Sequence, residues 1–370
     1  MSTGQLFNPS RLTLARKRRG LSMTKLAAAV GVEPRSISAY EKGEFAPESD
    51  RLGTISAVLR FPEAFFFGDD LDEPTPDIAS FRALSKMTAG QRDTALGAGA
   101  IALMLNEWIE KHFELPAPDL PDLGQEADPE AAARALRHLW SLGELPVKNM
   151  IHLLEAKGVR VYSLSVDAAE VDAFSMWRQR TPFVFLNTKK SAEHSRFDSA
   201  HELGHLVMHR DGSPQGREAE HQANAFASAF LMPRASVLAQ APRLASLDHL
   251  IKLKKVWAVS VAALTYRLHS LGVLSDWHYQ SLYIELSTRG YRKREPDEGQ
   301  RETSQILHKV FKALREDRVS KIDIADQLCV EAEELDQLVF GLALTGLNGG
   351  GAGGNSRGQA PHLRIVSASE

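Results

Sequence analysis

The chain has 370 residues, 43% of them hydrophobic and 25% charged, which excludes a wholly disordered polymer and exceeds what one small core needs; two or three domains are expected. A formal net charge of −3 excludes nucleic-acid binding driven by the whole surface, while leaving room for one local basic patch. The single cysteine, Cys329, excludes an internal disulfide and a thiolate metal site, so metal ligands have to be His, Asp or Glu and a reducing compartment is implied.

The first residues, MSTGQLFNPSRL, lack the apolar core of a signal peptide. The longest apolar run, from Ala95, is too short to span a bilayer, so a soluble cytoplasmic protein without a membrane partner is expected. Residues 11–59 show helical periodicity broken at Gly20, Gly31 and Gly43, which predicts short helices joined by tight turns. Between positions 11 and 19 stand Arg11, Arg16, Lys17, Arg18 and Arg19 with no acidic residue, a phosphate-facing pattern. An acidic, proline-bearing stretch from Asp69 reads as a linker, a helix is predicted over 82–112, and a second proline-rich segment follows.

Helices are next expected over 129–142 and 146–157, the latter ended by Gly158. Three β-rich runs, 159–164, 171–177 and 182–186, are close enough to form a meander. One helix then carries HELGHLVMH and another EAEHQANAFASAFLM, and residues 247–344 are helical again. Within that last region VSKIDIADQLCVEAEELDQLV, from Val319, reads as a turn between packing helices, because it has no basic residues at base-reading positions. The Gly-rich tail is expected to be disordered, since Gly and Ser cannot offset the entropy of ordering. The fold class is therefore mainly α with a small β-meander (α+β). Residues 1–68 form the first domain, 69–128 linkers and a connecting helix, 129–240 a metal-bearing domain, 241–345 a C-terminal helical region and 346–370 the tail.

His201 and His205 stand four apart on one helical face and can share an ion. Glu202, beside the first, is placed to take a proton from a metal-activated water, which is the HExxH arrangement of zinc hydrolysis. A third ligand is expected from Glu220 at the start of the next helix, with Glu218, or no carboxylate, as the alternative. Ala223 would let the two helices approach, and Asn224 could supply a supporting hydrogen bond. Two His and one Glu leave a fourth position for water, as catalytic zinc requires. His209 continues the row and competes as third ligand, but its imidazole would sit roughly 11 Å along the axis from the first, so it is read as interacting with the last helix carbonyls.

The runs PFVFLN, RFDSAHELGHLVMH and EHQANAFASAFLMP resemble the ImmA/IrrE metallopeptidase family, a gluzincin-like group, over about residues 146–233. That resemblance implies His201, His205 and Glu220 as zinc ligands, Glu202 as catalytic base, and cleavage of repressors or other regulators in stress responses or mobile-element control. Asp198 and Ser199 depart from the usual Thr and Leu before the motif. LSMTKLAAAVGVEPRSISAYEKGEFAP resembles the Cro/C1-type (XRE) helix-turn-helix, with Leu26, Ala27, Val30 and Ile37 as core and Glu41 as structural partner of Arg16. By position Arg35, Ser36 and Ala39 would face the major groove and Lys42 a phosphate, together with Arg16, Lys17, Arg18 and Arg19; only Arg35 can grip a guanine with two hydrogen bonds. Met23 stands where Gln is usual, and Pro34 and Ala39 cannot donate to bases, so modest specificity or a share in dimerisation is the alternative. The combined expectation is a DNA-binding zinc endopeptidase acting on a regulatory protein, in the dimeric form usual for such DNA-binding domains. The alternative is a non-proteolytic transcription regulator or antitoxin whose metal domain senses a ligand or partner.

Overall fold

A computed structural model describes residues 6–74, 80–81, 88–164, 173–210, 216–242, 245–343 and 364–365. The chain divides into two compact units that interleave in sequence: Met1–Leu115, Tyr162–Val171 and Ile306–Glu370 form one, and Pro116–Val161 with Asp172–Gln305 the other.

The first unit begins with four short helices, α1 (Pro9–Arg18), α2 (Met23–Val30), α3 (Pro34–Glu41) and α4 (Ser49–Leu59). Local chemistry sets their ends. The Asn8 side chain caps α1 with Pro9 in its first turn, where a fixed φ and a missing N–H carry no penalty. Ser22 caps α2 through the Lys25 N–H, and Gly31, at φ 75, ends it in the left-handed region before Pro34 opens α3. Leu26, Ala27, Val30 and Ile37 are buried, as their spacing predicts, and so are Leu12 and Ile55. The connecting helix α5 (Ala89–His112) starts at Thr88 in a capping box with Gln91 and packs on α1. The part of its predicted span before residue 88 lies outside the described residues.

In the second unit α6 (Pro129–Leu139) and α7 (Met150–Ala156) lead to β1 (Arg160–Ser163), whose last two residues are grouped with the first unit. Gly158, at φ 79, leaves no room for a side chain, because a Cβ there would lie 2.4 Å from the Ala117 carbonyl oxygen. Strands β2 (Ala173–Arg178) and β3 (Thr181–Leu186) form a hairpin in the register Ala173↔Leu186 to Arg178↔Thr181. The sheet order places β3 between β2 and β1, so it differs from the chain order of a simple meander. Alternation in a sequence says which faces are buried and leaves open which strand lies beside which. Next come α8 (Ala192–Met208), α9 (Arg217–Leu231), α10 (Arg234–Gln240), α11 (Leu247–Leu253), α12 (Val261–Ser270) and α13 (Asp276–Thr288).

Helix α8 is the buried spine of this unit, lying on β2 and β3 and against α9, which also packs on α6. Its N-terminal half is anchored by buried ions: Lys254 reaches Glu193 at 2.8 Å and Glu295 at 3.1 Å, and Arg196 pairs with Glu302. Such buried ion pairs fix the helix in place, because slippage would strand a charge away from water.

The chain returns to the first unit through α14 (Gln305–Glu316), α15 (Lys321–Gln327) and α16 (Ala332–Val339). The last two are the helix pair read from VSKIDIADQL, opened by a capping box of Ser320 with Asp323, and α16 packs on α5. Nearly all of the tail lies outside the described residues; Arg364 and Ile365 pair antiparallel with Glu114 and Phe113, which corrects the expectation of disorder at those two positions. Among the described residues no helix is long and apolar enough to cross a membrane.

Candidate metal centre and helix-turn-helix

The i, i+4 spacing on α8 brings the Nε2 atoms of His201 and His205 to 3.1 Å from each other. Glu220, in the first turn of α9, completes a triangle: its Oε2 lies 3.4 Å from His201 Nε2 and its Oε1 3.4 Å from His205 Nε2. A tetrahedral centre with bonds of about 2.0–2.1 Å separates its ligand atoms by about 3.4 Å, and the 3.1, 3.4 and 3.4 Å separations here, the last two to different Glu220 oxygens, are close to that spacing. Among the described residues it is the one group of three or more His, Cys, Asp or Glu side chains with donor atoms this close.

Protonation supports the same use. Asn224 donates its amide N–H to the Glu220 carbonyl at 2.7 Å, which turns its Oδ1 toward His201 Nδ1 at 3.2 Å. His201 therefore carries its hydrogen on Nδ1 and keeps Nε2 bare.

Two glycine-scale details make the approach. Ala223 is fully buried between the helices, as expected, and at Gly204 an added Cβ would lie 3.0 Å from the Phe226 ring and 3.4 Å from Ala223 Cα. The glycine inside HELGH thus sets how near α9, and with it Glu220, comes to α8. Glu202 is fully buried, and its Oε2 accepts a 2.6 Å hydrogen bond from the Ser175 hydroxyl on β2. No periodicity in the sequence singles out Ser175.

His209 stands outside the triangle. It ends α8, its backbone N–H reaching the His205 carbonyl, while its ring Nδ1 lies 2.9 Å from His205 Nδ1 and its Nε2 3.1 Å from Gln222 Oε1. The side chain serves a neighbouring imidazole and an amide, which revises the expectation that it binds helix carbonyls. Burial pushes its pKa below the usual histidine value.

In the first unit α2 and α3 form the expected turn, with Arg35 and Lys42 exposed and Ser36 half-buried. Ala39 is buried, so its methyl presents little surface to a groove, and the Glu44 N–H bonds its carbonyl where the chain folds back after α3. The outward row on α3 runs through Arg35, Ser38 and Lys42. The basic cluster is also corrected. Arg16 is held by both oxygens of Glu41 at 2.5 and 2.9 Å, Lys17 lies 3.4 Å from Glu73, Arg18 meets Glu334 at 2.9 Å, and Arg19 pairs with the same Glu334. Arg16 and Arg18 are buried, so these two charges face protein carboxylates rather than phosphates.

Fold and site define a two-part class: a helix-turn-helix unit in the same chain as a domain with a His-Glu-x-x-His helix and a facing glutamate. Residues 12–66 match the family model of the helix-turn-helix, and residues 154–269 match that of the IrrE N-terminal-like domain, a peptidase family by its label. Over 60 residues the chain is 40% identical to an uncharacterized HTH-type transcriptional regulator of Sinorhizobium medicae, and equally to one of Rhizobium meliloti. That stretch is 16% of this chain and spans 43% of the length of each curated relative.

Proposed function

We propose that the protein is a DNA-binding zinc endopeptidase that cleaves a regulatory protein, such as a repressor, to control transcription. The observation that carries the proposal is the cluster of His201 Nε2 and His205 Nε2, 3.1 Å apart, with the Glu220 carboxylate facing both, its Oε2 3.4 Å from the first and its Oε1 3.4 Å from the second. Two neutral imidazoles, one carboxylate and no thiolate suit zinc, with a fourth position left for water.

Zinc bound there would lower the pKa of a water molecule and polarise a scissile peptide carbonyl. Glu202 would serve as the base that accepts a proton from the attacking water and returns it to the departing amine, and the Ser175 hydroxyl holds the Glu202 carboxylate in position. Asn224 keeps the hydrogen of His201 on Nδ1. On the DNA side Arg35 reads a base edge and Lys42 contacts phosphate, and the names of the two relatives favour a role in transcription. Metal analysis tests the centre: the wild type should purify with about one zinc per chain, as three protein ligands and one water imply. His201→Ala, His205→Ala and Glu220→Ala should each lose most of it. Full occupancy in the two His variants would remove the site.

A further inference from the structure

A hydrogen-bonded chain leads out of the proposed centre and has no part in the proton transfer just described. Its direction can be read from the outer end. Gln222 donates its amide N–H to Glu218 Oε1 at 3.0 Å, as only the NH2 end of the amide can toward a carboxylate. The amide oxygen is thereby turned to His209 Nε2 at 3.1 Å, and that nitrogen must carry a hydrogen. The two Nδ1 atoms of His209 and His205 face each other at 2.9 Å, so one donates and the other accepts. If His209 Nδ1 donated, His209 would be doubly protonated, a buried cation pressed against a site built to hold a cation. His205 Nδ1 is therefore the donor, and His205 Nε2 is left with a bare lone pair.

We propose that His209, held by Gln222 and Glu218, is a positioning residue that fixes the tautomer and ring orientation of His205 and thereby sets the affinity for a divalent cation. It does for His205 what Asn224 does for His201, so each imidazole of the triangle has its own orienting partner. Both partners lean on α9, the Glu220-bearing helix, since Gln222 and Asn224 flank Ala223 there. Docking of one helix then sets all three donors at once. The proposal rests on the metal-centre reading above and adds a residue that touches neither metal nor substrate.

Zinc affinity of the full chain, measured by competition with a chromophoric chelator, tests it without any substrate. His209→Phe keeps a ring of similar size but cannot accept from His205, and should weaken zinc binding by about 10- to 100-fold, the usual effect of losing such a partner. His209→Asn, whose side-chain oxygen can accept, should recover part of the loss. In the zinc-loaded wild type, imidazole NMR should show a slowly exchanging hydrogen on His205 Nδ1 that the Phe variant loses, a signal that a purely structural role would leave in place. Should His209→Phe not fold, Gln222→Leu breaks the chain one link further out and should shift affinity in the same direction. Wild-type affinity in a folded His209→Phe or Gln222→Leu protein, with the Nδ1 signal intact, overturns the proposal while the metal centre stands. A wild-type chain that takes up no zinc overturns both.

Discussion

A carboxylate as fully buried as Glu202 needs a hydrogen bond or a cation near it, since removing a charge from water costs several kcal/mol. The Ser175 hydroxyl supplies one such partner. Glu202→Gln keeps the side chain's size and leaves His201, His205 and Glu220 in place, so zinc content should stay near the wild-type level. Proton transfer alone is removed, and cleavage of a cognate regulator should fall by about 10² to 10⁴. Undiminished cleavage in that variant, with zinc bound, would rule Glu202 out as the base. An unchanged transcriptional response there, together with its abolition by His201→Ala, would favour a metal-dependent sensor over a peptidase. The ligands and base were legible because their spacing is local: i, i+1 and i+4 on one helix, with Glu220 opening the next. Ser175 was not, because it reaches Glu202 from a strand 27 residues away, and Gln222 was not, because only the docking of α9 on α8 brings it to His209.

Between elements, the distance from α8 to α9 is the quantity the metal centre depends on. Gly204 is its gauge, since an added methyl meets the Phe226 ring at 3.0 Å. Gly204→Ala should force that ring and α9 outward at a cost of about 1–3 kcal/mol, typical of overpacking. Because Glu220, Gln222 and Asn224 all ride on α9, zinc affinity should drop even though no ligand is altered. A variant that melts lower yet binds zinc as tightly as the wild type would show the spacing to be slack. The other element-scale feature is the clamp of Arg18 and Arg19 on Glu334 of α16. Five basic residues in a row of nine were plain in the sequence, but their partner was not: Arg18 and Glu334 are 316 residues apart in the chain. Burial alone would raise the Glu334 pKa; the charges of Arg18 and Arg19 and their hydrogen bonds outweigh it and hold the carboxyl below its usual value. A carboxyl lowered on folding adds stability that is complete above its unfolded pKa of about 4.3 and is lost as pH falls through the folded value. The first unit should therefore loosen on acidification below about pH 4, and Glu334→Gln should remove that component of the acid transition. An acid transition identical in wild type and variant would mean that Glu334 contributes nothing to it.

At the scale of the whole molecule, the first unit is not a segment that can be cut from the front of the chain. Its helices α1 to α5 are joined by α15 and α16 from the far end, with Trp108 of α5 donating to Gln327 at 2.8 Å and Arg18 buried against Glu334. The helix-turn-helix itself, α2 and α3, is complete within residues 12–66, so a short N-terminal fragment contains every residue proposed to touch DNA. What such a fragment lacks is the carboxylate that neutralises Arg18 and Arg19. Removing one partner of a buried ion pair typically costs about 3–5 kcal/mol, against a total stability of about 5–15 kcal/mol for an ordinary domain. A fragment of residues 1–115 should therefore melt well below the corresponding transition of the full chain, and its DNA affinity should be lowered in proportion to the unfolded fraction. Adding residues 305–343 as a separate peptide should restore both, since it returns α15 and α16 to the faces they cover on α1 and α5. Circular dichroism melting and gel-shift titration of the fragment, with and without the peptide, measure this directly. If the fragment alone melts and binds as the full chain does, α16 is an ornament on the DNA-binding unit; if the peptide restores them, α15 and α16 are part of the folding unit that carries the helix-turn-helix.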